Sequence, residues 1–292
     1  MNMKIIVGKT AGFCYGVKRA VESSQKLAIS NSNNTIYCLG ELVHNKQVIQ
    51  ELQSKGIKFI ENIQDVNEQN CKVIIRAHGV PKHIYEDAKN KEIQLEDFTC
   101  PNVLKIHRIV EQYKKDGYYI FLTGSENHPE VQGIISHCDG KYSIIENDKE
   151  IDEALKKLKD SEYKKLLLVS QTTYSLQKFK NIEKIISDRL EEDIQIVTEN
   201  TICLATEVRQ KETEKISNKV TKMIIIGGRN SSNTKKLYEI AVQNCKNTIC
   251  IETHNELENF EIEDNDIIGI MAGASTPQSS IDDVVRYVRK EA

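Results

Sequence analysis

Short apolar runs alternate with helix-period segments along the whole chain. Runs at 4–7, 35–39, 72–75, 118–122, 165–169, 194–197, 222–226, 248–251 and 266–271 are rich in β-branched residues and end near Gly, Ser or Asn. That pattern predicts buried strands. Between them, segments such as 103–113 (VLKIHRIVEQY) and 176–190 repeat apolar residues at i, i+3, i+4 and i+7, the stripe of an amphipathic helix. Strand–helix alternation predicts an α/β fold with mostly parallel sheets. Ligands of such sheets lie beyond the carboxyl ends of the strands, so chemistry is expected in the residues that follow each strand.

Those residues repeat. Cys14 precedes a helical pattern at 15–27, Cys100 precedes one at 101–113, and Cys203 precedes one at 204–220. Pro101 suits a first helical turn, where its missing N–H costs nothing. Each cysteine is followed by two polar strand tips: 40–44 and 76–79, 124–130 and 170–173, 228–233 and 272–276. The chain therefore reads as three similar βα lobes, 1–98, 99–200 and 201–292, the last with a C-terminal helix. The opening strand, within 1–13, has two possible seats, in the first lobe or in the third.

Composition narrows the class. Of 292 residues, 39% are hydrophobic and 28% charged, a folded rather than a disordered balance. A net charge of −3 argues against nucleic-acid coating by bulk positive charge. The longest apolar stretch, 267–274, is far short of the ~18 residues that span a membrane, and no signal-peptide core is visible. A soluble, cytoplasmic chain is expected. Its 8 cysteines then favour metal or catalytic roles over disulfides, and no CxxC spacing marks a local knuckle. Cys38, Cys71, Cys138, Cys245 and Cys250 share no phase and are expected as small core residues.

Three lobes packed about a pseudo-threefold axis would let Cys14, Cys100 and Cys203 converge at its centre. Three thiolates leave one coordination position open, which suits either a zinc ion with bound water or an iron–sulfur cube with one iron free. Around them, His44, His78, His128, Thr172, Thr173, Ser231, Ser232, Asn233 and Ser275 lie beyond strands. Three imidazoles, several hydroxyls and helix N-termini suit a phosphate or diphosphate. Simple N-capping accounts for one Ser at 231–234, but the run Asn-Ser-Ser-Asn-Thr exceeds what a cap needs. No GxxxxGK[ST] loop is present, so ordinary ATP chemistry is not indicated. Glu130 follows His128-Pro129 at one tip. It reads equally as a proton donor with a raised pKa or as an acid in a first helical turn.

Together, AGFCYGV at 11–17, ELVHN at 41–45, RAHGV at 76–80, TCP at 99–101, HPEV at 128–131, QTT at 171–173, ICLAT at 202–206, NSSN at 230–233 and AGAS at 272–275 resemble the LytB/IspH family of 4-hydroxy-3-methylbut-2-enyl diphosphate reductases. The motifs run in order from about residue 10 to residue 280. The resemblance implies three α/β lobes around a central 4Fe–4S cluster held by Cys14, Cys100 and Cys203, with the fourth iron open to substrate. It implies diphosphate binding by His44, His78, His128, Ser231, Ser232, Asn233 and Ser275. Glu130 would be the proton source, Thr172 would position the substrate hydroxyl and pass the proton, and Thr173 would be a further contact. The implied partners are the diphosphate substrate and reduced ferredoxin or flavodoxin, with no nucleic acid, membrane or appended RNA-binding domain. The implied reaction is reductive dehydroxylation to isopentenyl and dimethylallyl diphosphates, the last step of the non-mevalonate isoprenoid pathway. Asn127, Gly228-Arg229 and Leu204 depart from the family's usual choices without removing a ligand. A hydro-lyase using an open iron, or a metal-binding sensor, would share the cysteines. The first needs no reductant, and the second leaves the diphosphate-like tips unexplained.

Overall fold

The computed structural model describes residues 3–31, 34–68 and 70–290. Its described strands form three four-stranded sheets with every pairing parallel. In the first, β2 (Thr35–Leu39), β3 (Ile57–Ile60), β4 (Cys71–Ile75) and β5 (Gln94–Asp97) stand in the order β3-β2-β4-β5. In the second, β6 (Tyr119–Thr123), β7 (Tyr142–Ile145), β8 (Lys165–Ser170) and β9 (Gln195–Thr198) stand as β7-β6-β8-β9. The third combines β1 (Lys4–Val7) with β10 (Lys222–Ile226), β11 (Thr248–Ile251) and β12 (Ile267–Ala272) as β1-β12-β10-β11. Every sheet thus has its second strand at one edge, then its first and its third. The fourth place belongs to β5, β9 and β1, and β1 pairs with β12 from Lys4↔Ile267 to Val7↔Ile270.

The chain divides into two compact units. The larger comprises Ser23–Leu42 and Gly56–Cys203 and holds the first two sheets. The smaller comprises Met1–Glu22, Val43–Lys55 and Leu204–Ala292 and holds the third.

All-parallel sheets need cover on both faces, because crossover helices return on either side. The strand sequences supply two apolar faces by simple alternation. In β6, Tyr119 and Phe121 pack on α6 (Ile151–Lys159) and α7 (Leu176–Arg189). Ile120 and Leu122, one residue out of phase, pack on α4 (Pro101–Lys115) and α5 (Pro129–Ile135). In the first sheet, Val73 and Ile75 meet Ala88 of α3 (His83–Asn90). In the smaller unit, Ile224 and Ile226 face Val284 and Val288 of α10 (Gln278–Arg289). Met223 and Ile225 face α8 (Leu204–Ser217) and α9 (Ser232–Asn244). Each such large side chain, fully buried, contributes about 1.5–3 kcal/mol of transfer free energy.

The predicted strands are present to within a residue or so. Three edge strands, β3, β5 and β7, were not predicted, because each is short and carries polar residues such as Lys58, Glu96 and Ser143. The helix after Cys203 stops at Ser217 rather than 220. The helix after the 230–233 tip begins at Ser232, where Ser231 caps it by accepting the Thr234 N–H at 3.3 Å. Two further helices are α1 (Tyr15–Ser30) and α2 (Lys46–Ser54). Among the described residues no helix is long and apolar enough to cross a membrane.

Candidate active site

In each sheet the strand order reverses between the first and third strands, at β2/β4, β6/β8 and β10/β12. An open α/β sheet binds ligands at that crevice. The chain leaving these six strands carries the predicted polar residues. His44 follows β2 and His78 follows β4. His128 and Glu130 follow β6, and Thr172 and Thr173 follow β8. Ser231, Ser232 and Asn233 follow β10, and Ser275 follows β12. Cys100, Cys203 and Cys14 follow the fourth-place strands β5, β9 and β1.

In the larger unit, Glu130 and Thr172 meet. Pro129 starts α5, and Glu130 occupies its first turn with 1% of its surface exposed. The Thr172 N–H donates to Glu130 Oε1 at 2.6 Å, and Thr172 Oγ1 donates to Oε2 at 2.7 Å. Burial pushes the carboxyl up to about 7, against the downward pull of these two bonds. A carboxyl with that pKa is half protonated at neutral pH and can act as an acid there. His128 caps α5, its Nδ1 accepting the Glu130 N–H at 3.1 Å. That bond makes Nδ1 the unprotonated nitrogen and leaves Nε2 as the N–H donor. The His78 ring stands edge-on to His128 with centroids 5.4 Å apart. Thr173 Oγ1 accepts from Gln171 Nε2 at 2.9 Å, and Gln171 Oε1 accepts the Ser125 N–H at 3.3 Å, which ties the β6 and β8 tips.

In the smaller unit, three segments come together. Ser275 Oγ donates to the His44 carbonyl at 3.1 Å. A Cβ on Gly228 would overlap that same carbonyl oxygen, so the β10 tip can approach only as glycine. Asn45 caps α2 by accepting the Val48 N–H at 3.1 Å, and Ser231 caps α9. The unit thereby gathers helix N-termini, which favour anions. Asn233 lies in the first turn of α9 and is 3% exposed, yet neither Oδ1 nor Nδ2 has a hydrogen-bond partner. A buried, unsatisfied amide costs about 1–3 kcal/mol, and a ligand that bonds to it would remove the penalty.

Residues 5–289 match the family model described as LytB protein. The chain belongs to the LytB family. It is 40% identical over 288 residues to the 4-hydroxy-3-methylbut-2-enyl diphosphate reductase of Thermoanaerobacter sp. (strain X514), covering 98% of this chain and 97% of that protein. The enzyme of the same name from Clostridioides difficile (strain 630) is 40% identical over 292 residues, covering 99% of each chain. Among solved structures, a reductase described as the terminal enzyme of the non-mevalonate pathway is 36% identical, with a TM-score of 0.70 over 99% of each chain. The Plasmodium falciparum reductase is 32% identical with a TM-score of 0.87, covering 98% of this chain and 88% of that one. The three α/β lobes with parallel sheets are thus those of LytB proteins.

One expectation is corrected. The resemblance implied a 4Fe–4S cluster on Cys14, Cys100 and Cys203. Among the described residues, none of Cys14, Cys100 and Cys203 belongs to a group of three or more side chains placed to hold one metal ion. The common phase of the cysteines has another physical cause, a repeated backbone seat. The N–H of Cys14 donates to Ala274, that of Cys100 to Ala77 and that of Cys203 to Thr172, each at the tip of the third strand of its sheet, at 3.2, 2.9 and 3.0 Å. Cys203 Sγ also accepts from Asn102 Nδ2 at 3.0 Å. The shared phase of the three cysteines is therefore no sign of a shared cluster.

The sequence reading passed over His107. The signal was there: Val103, Ile106, His107 and Val110 form the buried face of α4, and a histidine interrupts that apolar stripe.

Proposed function

We infer that this chain is a 4-hydroxy-3-methylbut-2-enyl diphosphate reductase, an oxidoreductase that forms isopentenyl and dimethylallyl diphosphates as the last step of the non-mevalonate isoprenoid pathway. The observation that carries the reading is 40% identity to such reductases along nearly the whole of both chains. Overall, an allylic C–OH becomes C–H with two electrons and two protons, and water leaves. Hydroxide is a poor leaving group, so the oxygen must be protonated as the C–O bond breaks.

The buried carboxyl supplies that proton. In its neutral form Glu130 turns its O–H toward Thr172 Oγ1, and the Thr172 hydroxyl proton is then free to face the substrate hydroxyl. Loss of that proton returns the arrangement with Thr172 Oγ1 donating to Glu130 Oε2. Thr173 is a further contact to the substrate. In the smaller unit, His44, Ser231, Ser232, Asn233 and Ser275 are assigned to the diphosphate, supported by the capped helix N-termini and the unsatisfied Asn233 amide. In the larger unit, His78 and His128 are assigned to it as imidazole donors. Anchoring through the diphosphate holds the distant hydroxyl at the acid, which lowers the entropic part of the barrier.

The electrons come from a soluble redox partner, for which reduced ferredoxin or flavodoxin is the proposed carrier. A cytoplasmic location accompanies this reading, since all eight cysteines are free thiols, as in a reducing compartment. The test is direct. Under oxygen-free conditions, with chemically reduced flavodoxin or a reduced viologen dye, the chain should convert the hydroxylated diphosphate to both products. Intact substrate with every donor, or dehydration without electron uptake, overturns the reading.

A further inference from the structure

We propose that His107 is a positioning residue that sets α5, with Glu130, and the turn after β4, with His78, at their working separation. The inference rests on the reductase reading and adds a residue to it.

The geometry is that of a ring edge, Cε1–Nε2, seated in a slot lined by two glycines. His107 lies on the buried face of α4 with 5% exposure. A Cβ placed on Gly79 would come within 3.3 Å of its Cε1, and one placed on Gly133 within 3.3 Å of its Nε2. Gly79 follows His78 directly and adopts φ +76°, a conformation that favours glycine. Gly133 lies in α5, three residues beyond Glu130. The two functional segments therefore rest on that one edge of the imidazole. The ring cannot swing, because His137 stacks on it with centroids 4.6 Å apart and planes at 30°.

Other bonds fasten the same frame. The Cys100 N–H, at the start of α4, donates to Ala77 at 2.9 Å. The Lys82 N–H donates to Ser136 Oγ at 3.0 Å, and that hydroxyl donates to the Gly133 carbonyl at 2.6 Å. The segment after β4 is thus tied both to the start of α4, which carries the ring, and to the end of α5.

Stability does not explain a histidine here. Nε2 of His107 is buried with no hydrogen-bond partner, and so is Nδ1 of His137. Burial, followed by the neighbouring His137, pushes the His107 pKa down to about 4, against Asp97, so the ring is neutral. An orphaned nitrogen in a core is a cost that an aliphatic residue would avoid. What the imidazole offers is a short, rigid edge, Cε1–Nε2, that two glycine backbones can approach at once.

The experiment compares His107→Ala with Val110→Ala, one turn along the same helix and also buried. Misplacing reacting groups by about 1 Å can cost about a hundredfold in rate. His107→Ala is expected to lower kcat at least about tenfold and to raise KM for the substrate, measured on fully folded protein. Val110→Ala should lower the melting temperature without moving either constant more than about twofold. In the His107→Ala background, Gly133→Ala should recover part of kcat, because its methyl group refills the slot. Gly133→Ala alone, which leaves His107 in place and presses on it, should lower kcat and keeps the test open if His107→Ala does not fold. Unchanged kcat and KM in both single variants, or equal losses in His107→Ala and Val110→Ala, would overturn the assignment. Wild-type protein assayed in parallel separates the two failures: if it does not reduce the substrate, the reductase reading falls first.

Discussion

Glu130 is surrounded by protein and held by two bonds from Thr172, and its carboxyl titrates near 7 because burial outweighs those bonds. Two consequences follow for one atom pair. Replacing the acid by its amide, Glu130→Gln, keeps shape and burial but supplies no proton. Turnover should fall about a hundredfold or more, while substrate affinity, read by calorimetry, stays within a few-fold. Unchanged steady-state turnover would remove Glu130 from the proton path. The second consequence concerns stability. The folded-state pKa of about 7 lies above the ordinary 4.5. The stabilisation is therefore complete below pH 4.5 and is lost as the pH rises through 7. Between those limits it amounts to about 3 kcal/mol. The melting temperature of Glu130→Gln relative to wild type should accordingly climb from about pH 5 to pH 8. Asn233 makes the opposite kind of prediction. Its amide is buried without partners, so Asn233→Leu should leave the melting temperature of the free protein unchanged or slightly raised. The same variant should weaken inorganic diphosphate binding about tenfold or more, as two charge-assisted bonds are lost. Equal affinity in the two proteins would take Asn233 out of the anion site.

At the level of elements, the strand tips matter more than the strands. Gly228 shows why: its missing Cβ is what allows the turn after β10 to reach the His44 carbonyl. Gly228→Ala should push that turn back. Substrate KM should then rise at least about tenfold, with a loss in melting temperature beside it, since Gly228 is buried and the new methyl group meets backbone. A KM unmoved by the methyl group would show that the turn does not shape the binding surface. The central strands were legible because both of their faces are apolar, as in LLLV of β8 and MIII of β10. Three of the six edge strands, β3, β5 and β7, were not. Gln94–Asp97 reads QLED, and such a strand forms only because β4 offers it a ladder from Lys72↔Gln94 to Ile75↔Asp97. Propensity carries no trace of a neighbour's open edge. The candidate site could be proposed from the sequence for a related reason. Polar residues after buried strands have few packing roles, so His128, Glu130 and Thr172 stood out, whereas His107, set in an apolar helical stripe, did not.

Across the whole chain the recurring strand order explains both what the sequence disclosed and where it misled. Three cysteines in equal phase suggested shared ligation, but the same phase follows from three fourth-place strands, each delivering its cysteine N–H to a third-strand tip. A period in sequence reports a repeated backbone position, and only side-chain geometry tells whether the repeated residues meet. The same order explains β1. Among the described residues the third repeat has no strand of its own for the fourth place, and the N-terminal segment fills it beside β12. Without β1, the β12 edge that carries Ile268 and Ile270 would be unpaired, and an open apolar edge invites association between chains. β1 also leads directly to the turn at Lys9 and Thr10, which Glu212 of α8 holds through both backbone N–H groups at 2.9 and 2.8 Å. Removing residues 1–7 should therefore take away the β1 ladder and the strand that leads into this turn. A loss of several kcal/mol would lower the melting temperature by about 10 °C or more. Oligomers should appear on size-exclusion chromatography at concentrations where the full chain elutes as one species. A truncated chain that melts and elutes like the intact one would show that β1 is an accessory to the third sheet rather than its fourth strand.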